Sequence, residues 1–266
     1  MNPRLPVTLT IAGSDSGGGA GIQADLKTFH QFGVFGTTAV TAVTAQNTLG
    51  VFAVHPIPVA MVRAQLDALA TDLPPRAIKT GMLANSELVE AVGVAVREHE
   101  EAAYVMDPVM VATSGDPLLE PEAQDALVRH LLPVATVVTP NLHEARILTG
   151  REVRTVDDAR ACARELVGMG AGAALVKGGH LEGDEAVDVL WDGSEEHAWR
   201  RPRMETTSTH GTGCTLSAAI AAGLAHGRPL VAAVDQAIQY VARAIYSAPG
   251  LGSGRGPLNH FARVGD

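Results

Sequence analysis

A cysteine enters an apolar helical pattern directly after two glycines in the stretch TTSTHGTGCT, residues 206–215. Gly211 and Gly213 allow positive φ angles and close backbone approach. The N–H groups that follow them face one point at a helix N-terminus, where negative charge is favoured. We predict an anion hole here for the charge that develops on a transferred phosphoryl group, with Cys214 beside it. On spacing alone, a capped turn with a buried cysteine is the alternative.

Four polar residues elsewhere could serve a phosphate and its cation. Asp107 ends the apolar run before DPVM, and TPNLHE spaces Asn141 and Glu144 by one helical turn, so that both can face one ligand. Because Mg²⁺ keeps several waters and needs few carboxylates, Asp107 and Glu144 suffice as candidate ligands, although each alone could be a surface acid or a helix cap. The glycines after Lys177 in VKGG indicate close approach to the backbone; a surface lysine is the alternative. The loop histidines lack metal-ligand spacing and are treated as polar loop residues: His143, His180 and His210.

The first glycine-rich stretch, GSDSGGGAG at 13–21, resembles a phosphate loop but lacks the Gly-Lys-Ser/Thr ending of a Walker motif. Gly19, Gly21 and Ala24 match a dinucleotide fingerprint, which needs an acidic residue about 20 positions later. No Asp or Glu lies between Asp25 and Asp67, which excludes an NAD site of that type. A plain strand-to-helix turn remains the alternative for the glycines, and Asp25, inside the helix, is expected to be solvated.

These residues are predicted to sit on an alternating strand and helix framework. Apolar strands separated by helical patterns predict an α/β fold with a mostly parallel sheet covered on both faces. A β-rich excursion at 187–200 and two closing helices follow, and no linker interrupts the chain, so we expect one domain over 1–266. The predicted strands are 7–13, 37–45, 76–81, 102–108, 135–140 and 173–179.

Polar or glycine-rich segments follow each predicted strand: GSDSGGGAG, then Gln46 and Asn47, then KTGM, DPVM, TPNLHE and KGGH. In parallel sheets, ligands bind outside the carboxyl ends of the strands. The sequence therefore predicts that these segments share one cleft.

Composition narrows the class of protein. The formal net charge of −9, with no clustered Lys and Arg, disfavours binding to nucleic acid or an anionic membrane. No apolar run reaches the 18 or so residues of a membrane span, and the apolar start, 1–13, is predicted to be a strand and not a signal peptide. Cys162 and Cys214 cannot form a disulfide framework, and Cys162, in a helical pattern, is expected to be a small core residue. A cytoplasmic protein is expected.

Seven segments in order resemble the hydroxymethylpyrimidine/phosphomethylpyrimidine kinase family of thiamine biosynthesis. They are GSDSGGGAGIQADLKT, VTAQNT, KTGML, DPVMVATSGDPLL, TPNLHEA, VKGGH and THGTGCTLSAAIAA, and they span about 9–224. The resemblance implies a ribokinase-like three-layer α/β/α sandwich with a small flap, and a homodimer that uses ATP and Mg²⁺. It also implies two successive phosphorylations, first of a pyrimidine alcohol and then of its monophosphate.

The resemblance also implies a role for each site residue. Gln46 would hydrogen-bond the aminopyrimidine, and Asp107 and Glu144 would serve the metal and the phosphates. Residues 109–116 would form the flap over the substrate. The other pyrimidine contacts would be Gly13, Asp25, Met82 and Val109. The ATP contacts and anion hole would comprise Lys177, Asn141, Thr209, Gly211, Gly213 and Cys214, with Lys177, Gly211, Gly213 and Cys214 catalytic.

Cys214 would stand where many ribokinase-like enzymes have a catalytic aspartate. A helix N-terminus can lower a thiol pKa toward neutrality, so we expect Cys214 to act as a base for the alcohol in the first step, although it could only shape the anion hole. A related group of pyridoxal kinases has a second cysteine in the flap, which VMVATSG lacks; this weakens the pyridoxal or pyridoxamine kinase alternative. A non-catalytic vitamin- or nucleotide-sensing protein is the alternative from another class.

Overall fold

The sheet runs through the centre of the molecule. The computed structural model describes residues 5–111, 115, 118–179 and 184–265. Within these ranges, nine strands form one sheet in the order β3-β2-β1-β4-β5-β6-β7-β8-β9. The strands are β1 (Val7–Asp15), β2 (Phe35–Asn47), β3 (Gly50–Pro56), β4 (Ala77–Thr80), β5 (Ala103–Met106), β6 (Val137–Val138), β7 (Ala174–Val176), β8 (Glu185–Trp191) and β9 (Glu196–Pro202).

The central strands are parallel. β2, β1, β4, β5, β6 and β7 pair in parallel, while β3 joins β2, and β8 and β9 join β7, as antiparallel strands. The carboxyl ends of the six parallel strands therefore lie at one edge of the sheet. All six predicted strands are present, and the β-rich excursion is the β8–β9 hairpin.

Helices cover both faces of the sheet. They are α1 (Gly21–Gln31), α2 (Val59–Asp72), α3 (Ser86–Arg97), α4 (Pro121–His130), α5 (Leu142–Thr149), α6 (Val156–Gly168), α7 (Thr212–Ala225) and α8 (Leu230–Tyr246), with a short 3₁₀ turn at Leu132–Val134. One apolar core includes Leu9, Leu88 and Leu166 on the face of α2 to α6. The other includes Phe29, Ile220 and Tyr240, under α1, α7 and α8. This is the predicted three-layer α/β/α sandwich.

Helix α7 holds the predicted anion hole in place. Ala218, Ala219, Ala221 and Ala222 are all 0% exposed, which marks a helix packed against neighbours on every side. Small side chains let the helix lie close to the sheet and to α8. The start of α7 is therefore a rigid part of the fold and not a free loop end.

One strand was not predicted from the sequence, and one predicted segment is only partly described. Strand β3 was missed because its side chains are mostly exposed and show no alternating apolar pattern; pairing with β2 forms it. The predicted flap, 109–116, lies partly outside the described residues, since 112–114 and 116 are among those not described. Of its described part, Met110 is buried and its carbonyl oxygen accepts a hydrogen bond from the Leu118 N–H at 2.9 Å.

Candidate active site

The segments after the parallel strands surround one cavity of about 1390 Å³. Its walls come from the ends of β1, β2, β4, β5, β6 and β7 and from the start of α7. The expectation of a shared cleft is confirmed. Twelve of the thirteen predicted site residues line it: Gly13, Gln46, Met82, Asp107, Val109, Asn141, Glu144, Lys177, Thr209, Gly211, Gly213 and Cys214.

Asp25 is the exception. Its side chain is 0% exposed, so the expectation of a solvated aspartate is wrong, and it is not among the residues that line the cavity. Its Oδ2 accepts from Thr10 Oγ1 at 2.6 Å and lies 3.0 Å from Lys79 Nζ. Because these partners occupy the carboxylate, the structure connects Asp25 to the cavity through Lys79 and not by direct exposure.

Lys79 was missed by sequence reasoning. It is 0% exposed, lines the cavity, and lies 4.0 Å from Asp107 Oδ2 as well as beside Asp25. Burial alone lowers the pKa of an ammonium, but Asp25 together with the other negative neighbours outweighs it and the pKa of Lys79 is raised, so the group stays charged. The sequence does place this lysine within the apolar strand β4, and a buried charge requires a partner, so Lys79 could have been recognised as part of a charged pair.

A second charged group pairs with Asp107 on its other side. Lys177 Nζ lies 3.1 Å from Asp107 Oδ1, while Asp107 Oδ2 is buried without a hydrogen-bond partner among the described residues. Burial opposes charge on Lys177, yet Asp107 and Glu144 raise its pKa above the usual range. Because Asp107 lines the cavity and its Oδ2 accepts no hydrogen bond from the described residues, a cation bound at this carboxylate would break no existing hydrogen bond.

Asn141 and Glu144 form a capping box at the start of α5. Asn141 Oδ1 accepts from the Glu144 N–H at 2.9 Å, and Glu144 Oε2 accepts from the Asn141 N–H at 2.8 Å. Burial raises the pKa of Glu144 to about 7, with Asp107 adding to the shift and Lys177 opposing it. The cap thus fixes Glu144 at the cavity wall beside Lys177, and one role of Asn141 is to hold that helix end.

The turn at 209–214 has the shape expected of an anion hole. Gly211 is the N-cap of α7 with a φ of 81°, and no side chain caps the helix. The first N–H groups of a helix have no partner within it, so those of Gly213 and Cys214 are available at the cavity. The hydroxyl Oγ1 of Thr209 is buried and without a partner among the described residues. A Cβ on Gly213 would lie 3.1 Å from Lys177 Nζ, which places the ammonium against this turn.

Cys214 does not have the lowered pKa expected for a base. Burial raises the pKa of its thiol to about 11, with Asp107 and Asp25 adding to the shift and Lys79 opposing it. Desolvation of the thiolate exceeds the stabilisation from Lys79 and from the Gly21 N–H group. The thiol is therefore protonated at neutral pH, which leaves it as a neutral wall of the anion hole.

The first glycine-rich loop contacts this turn through Asp15 and His210. Asp15 accepts from the N–H groups of Gly17, Gly19 and Ala20, and His210 Nε2 lies 2.8 Å from Asp15 Oδ2. Burial alone would raise the pKa of Asp15, but the contact with His210 and these backbone donors lower it. His210 lies in the loop before α7, as expected, but it is only 8% exposed and its contact with Asp15 was not predicted.

Gln46 lies near the end of β2, where the pairing with β3 shifts by one residue and the extra residue, Phe52, is on β3. The carboxamide of Gln46 lines the cavity between His210 and Thr44. Met82 and Gly13 form the adjacent wall, where a Cβ on Gly13 would lie 3.1 Å from Met82 Sδ. His180 lies outside the described residues.

A family model described as Phosphomethylpyrimidine kinase matches residues 15–259. The chain belongs to this family. It is 53% identical over 261 residues, 97% of each chain, to the hydroxymethylpyrimidine/phosphomethylpyrimidine kinase of Rhizobium meliloti (strain 1021). The resemblance seen in the seven sequence segments is thus confirmed over nearly the whole chain.

Solved structures agree on a ribokinase-like fold. An ADP complex of Bacillus subtilis pyridoxal kinase has a TM-score of 0.90 and 40% identity, covering 97% of this chain and 98% of that one. Phosphomethylpyrimidine kinase from Clostridium difficile 630 has a TM-score of 0.81 and 42% identity, covering 90% of this chain and 99% of that one. The family is one of kinases, and use of ATP follows from that class. Among the described residues, no helix is long and apolar enough to cross a membrane.

Proposed function

We propose that this chain uses ATP to phosphorylate 4-amino-5-hydroxymethyl-2-methylpyrimidine and then phosphorylates the monophosphate to the diphosphate, as a kinase of thiamine biosynthesis. The principal support is one juxtaposition within the cavity. A side with Gln46, Met82 and Gly13 adjoins a charged side with Lys177, Asp107 and Glu144, and the start of α7 contributes to both. An aromatic ring and a phosphoryl donor can therefore meet in a single cavity.

The ring side suits an aminopyrimidine. A carboxamide offers one acceptor and one donor, which match an exocyclic amine and the neighbouring ring nitrogen. Met82, 8% exposed, offers a polarizable apolar surface beside Gln46. Val109, half-buried at the end of the β5 segment, closes this side on the described part of the flap.

The charged side suits the triphosphate. Lys177 would neutralise phosphate oxygens, and the N–H groups of Gly213 and Cys214 would stabilise the charge of the transferred phosphoryl group. Asp107, whose Oδ2 accepts no hydrogen bond from the described residues, and Glu144 would hold a Mg²⁺ ion, which needs few protein carboxylates. Bound there, Mg²⁺ would reduce the negative charge that repels the incoming nucleophile.

No side chain need act as a strong base. Phosphoryl transfer depends mainly on positioning and electrostatic stabilisation, because its transition state is loose and the nucleophile bonds late. In the first step the alcohol can therefore lose its proton late, to water or to an oxygen of the transferred phosphoryl group. In the second step the acceptor is a phosphate monoester, whose second pKa near 6 leaves it ionised at neutral pH. The protonated thiol of Cys214 is compatible with both steps.

Product analysis tests the proposal. The protein is incubated with ATP, Mg²⁺ and the pyrimidine alcohol, pyridoxal or pyridoxamine in separate reactions, and mass spectrometry identifies the products. We expect mono- and diphosphate of the pyrimidine, and Lys177→Met as a matched variant should abolish both. Pyridoxal 5′-phosphate as the main product would favour the pyridoxal kinase alternative, which the high similarity to pyridoxal kinase structures makes the strongest competitor. Binding without turnover would favour the sensing protein.

The proposal also includes the oligomeric state of the protein and its cellular compartment. We treat residues 1–266 as a single kinase domain that acts as a homodimer in the cytoplasm. Exposed apolar side chains on and beside β3, Leu49 at 64% and Phe52 at 69%, support self-association, and the two cysteines are free, as in a reducing compartment. Sedimentation velocity with Phe52→Glu beside the native chain tests the dimer; a native monomer would contradict it.

A further inference from the structure

The carboxamide of Gln46 lies between two groups with fixed hydrogen-bond directions. The structure places its Nε2 3.3 Å from His210 Nε2 and its Oε1 3.2 Å from Thr44 Oγ1. The two terminal atoms of a carboxamide have nearly the same shape, so the neighbouring donors and acceptors decide which position the oxygen occupies. Both neighbours favour the amide oxygen toward His210 and the NH₂ group toward Thr44, which exchanges the two atom positions just given.

On one side, His210 is a donor. Asp15 Oδ2 already accepts from the N–H groups of Gly19 and Ala20, and an ionised carboxylate has no proton to give. The 2.8 Å contact between His210 Nε2 and Asp15 Oδ2 therefore needs a proton on Nε2, whatever the state of the other ring nitrogen. If the NH₂ group of Gln46 faced this protonated nitrogen, two donors would meet, which is unfavourable. A Gln46 carbonyl oxygen in the same position accepts part of the hydrogen bond that His210 donates.

On the other side, Thr44 is an acceptor. Its Oγ1 lies 3.0 Å from the backbone oxygen of Ser14, which can only accept, so the single hydroxyl proton points to Ser14. The lone pairs of Thr44 Oγ1 then face Gln46 and require a donor. The NH₂ group of Gln46 supplies it when the amide oxygen lies toward His210.

The backbone of Gln46 is also held. Ser16 Oγ donates to the Gln46 carbonyl oxygen at 2.8 Å and accepts from the Gln46 N–H at 2.8 Å. Because both hydrogen bonds to Ser16 fix the backbone, rotation of the main chain cannot reverse the amide. Only rotation about the last side-chain bond can do so, and His210 and Thr44 both oppose that rotation.

We propose that Asp15, His210 and Thr44 hold the Gln46 carboxamide in one orientation, and that this orientation makes the site select a 4-aminopyrimidine over its 4-oxo analogue. The inference rests on the proposed function, because it takes Gln46 as the group that contacts the pyrimidine. His210 and Thr44 are positioning residues in this scheme, since they act through Gln46.

The selectivity follows from the order of donor and acceptor. The amine and ring nitrogen of a 4-aminopyrimidine present a donor beside an acceptor, while the carbonyl and ring N–H of the 4-oxo form present the reverse. An amide free to rotate by half a turn matches both, but a fixed amide leaves one of them with unpaired groups. Discrimination between two rings of the same shape thus depends on groups that do not touch either ring.

A matched pair of variants at Thr44 tests the proposal. We measure kcat/KM for 4-amino-5-hydroxymethyl-2-methylpyrimidine and for its 4-oxo analogue with the native chain, Thr44→Val and Thr44→Ser. Valine keeps the shape of threonine without the hydroxyl. The ratio of kcat/KM for the amino substrate to kcat/KM for the oxo analogue should therefore fall by at least about tenfold, mainly through the KM of the pyrimidines. The KM for ATP should not change. Serine keeps the hydroxyl and should keep the native ratio. An unchanged ratio in Thr44→Val, or equal falls in both variants, overturns the proposal.

The tautomer of His210 provides a second test that needs no activity. In ¹⁵N spectra of the native protein, with His210→Gln used to assign the resonance, Nε2 should be protonated between about pH 6 and 8. An unprotonated Nε2 overturns the proposal. If the native chain phosphorylates neither pyrimidine, the proposed function fails, and the ¹⁵N result still decides whether the amide is held as inferred.

Discussion

Lys79 Nζ lies 3.0 Å from Asp25 Oδ2 with both side chains 0% exposed, which joins the middle of β4 to α1 across the second core. Removing one member of such a pair is costly, because the remaining charge is then buried without a partner. The pair therefore makes a sharp prediction for stability.

Lys79→Met should lower the free energy of unfolding by about 3–5 kcal/mol, because Asp25 loses its cation. The double variant Lys79→Met/Asp25→Asn removes both charges and should recover a large part of that loss. Urea unfolding of the native chain, both single variants and the double variant gives the coupling energy. Additive losses in the double variant would show that the pair is not coupled.

Gly211 and Gly227 give a matched test of close packing at the anion hole. Their φ angles are 81° and 79°, so alanine meets similar backbone strain at both positions. A Cβ on Gly211 would overlap the carbonyl oxygen of Gly19, while a Cβ on Gly227 has nothing within 4 Å. Gly211→Ala should lower kcat by about 100-fold through displacement of the turn. Gly227→Ala should lower the stability of the fold and leave kcat unchanged. Equal kcat values in the two variants would contradict a role for close packing between the loops.

The raised pKa of Cys214 predicts how its variants behave. A thiol with a pKa of about 11 is protonated across neutral pH, so Cys214→Ala should slow the two phosphorylations by similar factors. A base would instead matter mainly for the alcohol in the first step. Single-turnover rates with each purified substrate distinguish these outcomes. Iodoacetamide should also alkylate Cys214 slowly at pH 7.5, and rapid alkylation would contradict the raised pKa.

His260 predicts a loss of stability in mild acid. Burial lowers its pKa to about 4 from an ordinary 6.5, and Thr215 Oγ1 lies 3.0 Å from its Nε2. Between these pH values His260 is protonated in the unfolded chain and neutral in the folded chain. The free energy of unfolding is therefore unaffected by His260 above pH 6.5 and decreases as the pH falls toward 4. At pH 5 this costs about 2 kcal/mol. His260→Gln should lessen the drop in unfolding free energy between pH 7.5 and 5, whereas the exposed His55→Gln should not.

The framework of this protein is predictable because it depends on local patterns. Six apolar runs separated by helical periods give the parallel strands, and the polar residues that follow them meet at one edge by topology alone. The anion hole could be predicted because the glycines, the cysteine and the helix start all lie within ten residues.

What the sequence does not show depends on distant partners. The charge of Lys79 needs Asp25, 54 residues away, and the position of His210 depends on Asp15, 195 residues away. The pKa of Cys214 was expected in the wrong direction because helix position is visible in a sequence and desolvation is not. Strand β3 is defined by its partner strand, and its exposed side chains give no periodic signal.

The contact between Asp15 and His210 has a consequence for how the chain refolds. Both tryptophans, Trp191 and Trp199, lie in the β8–β9 hairpin, whose strands are adjacent in sequence. The cavity instead requires closure of a loop of 195 residues, which is slower to form than a local hairpin. During refolding from urea, tryptophan fluorescence should therefore recover before catalytic activity does. A spectroscopic trace alone would report as native a population of molecules that have a folded hairpin and an open, inactive cleft.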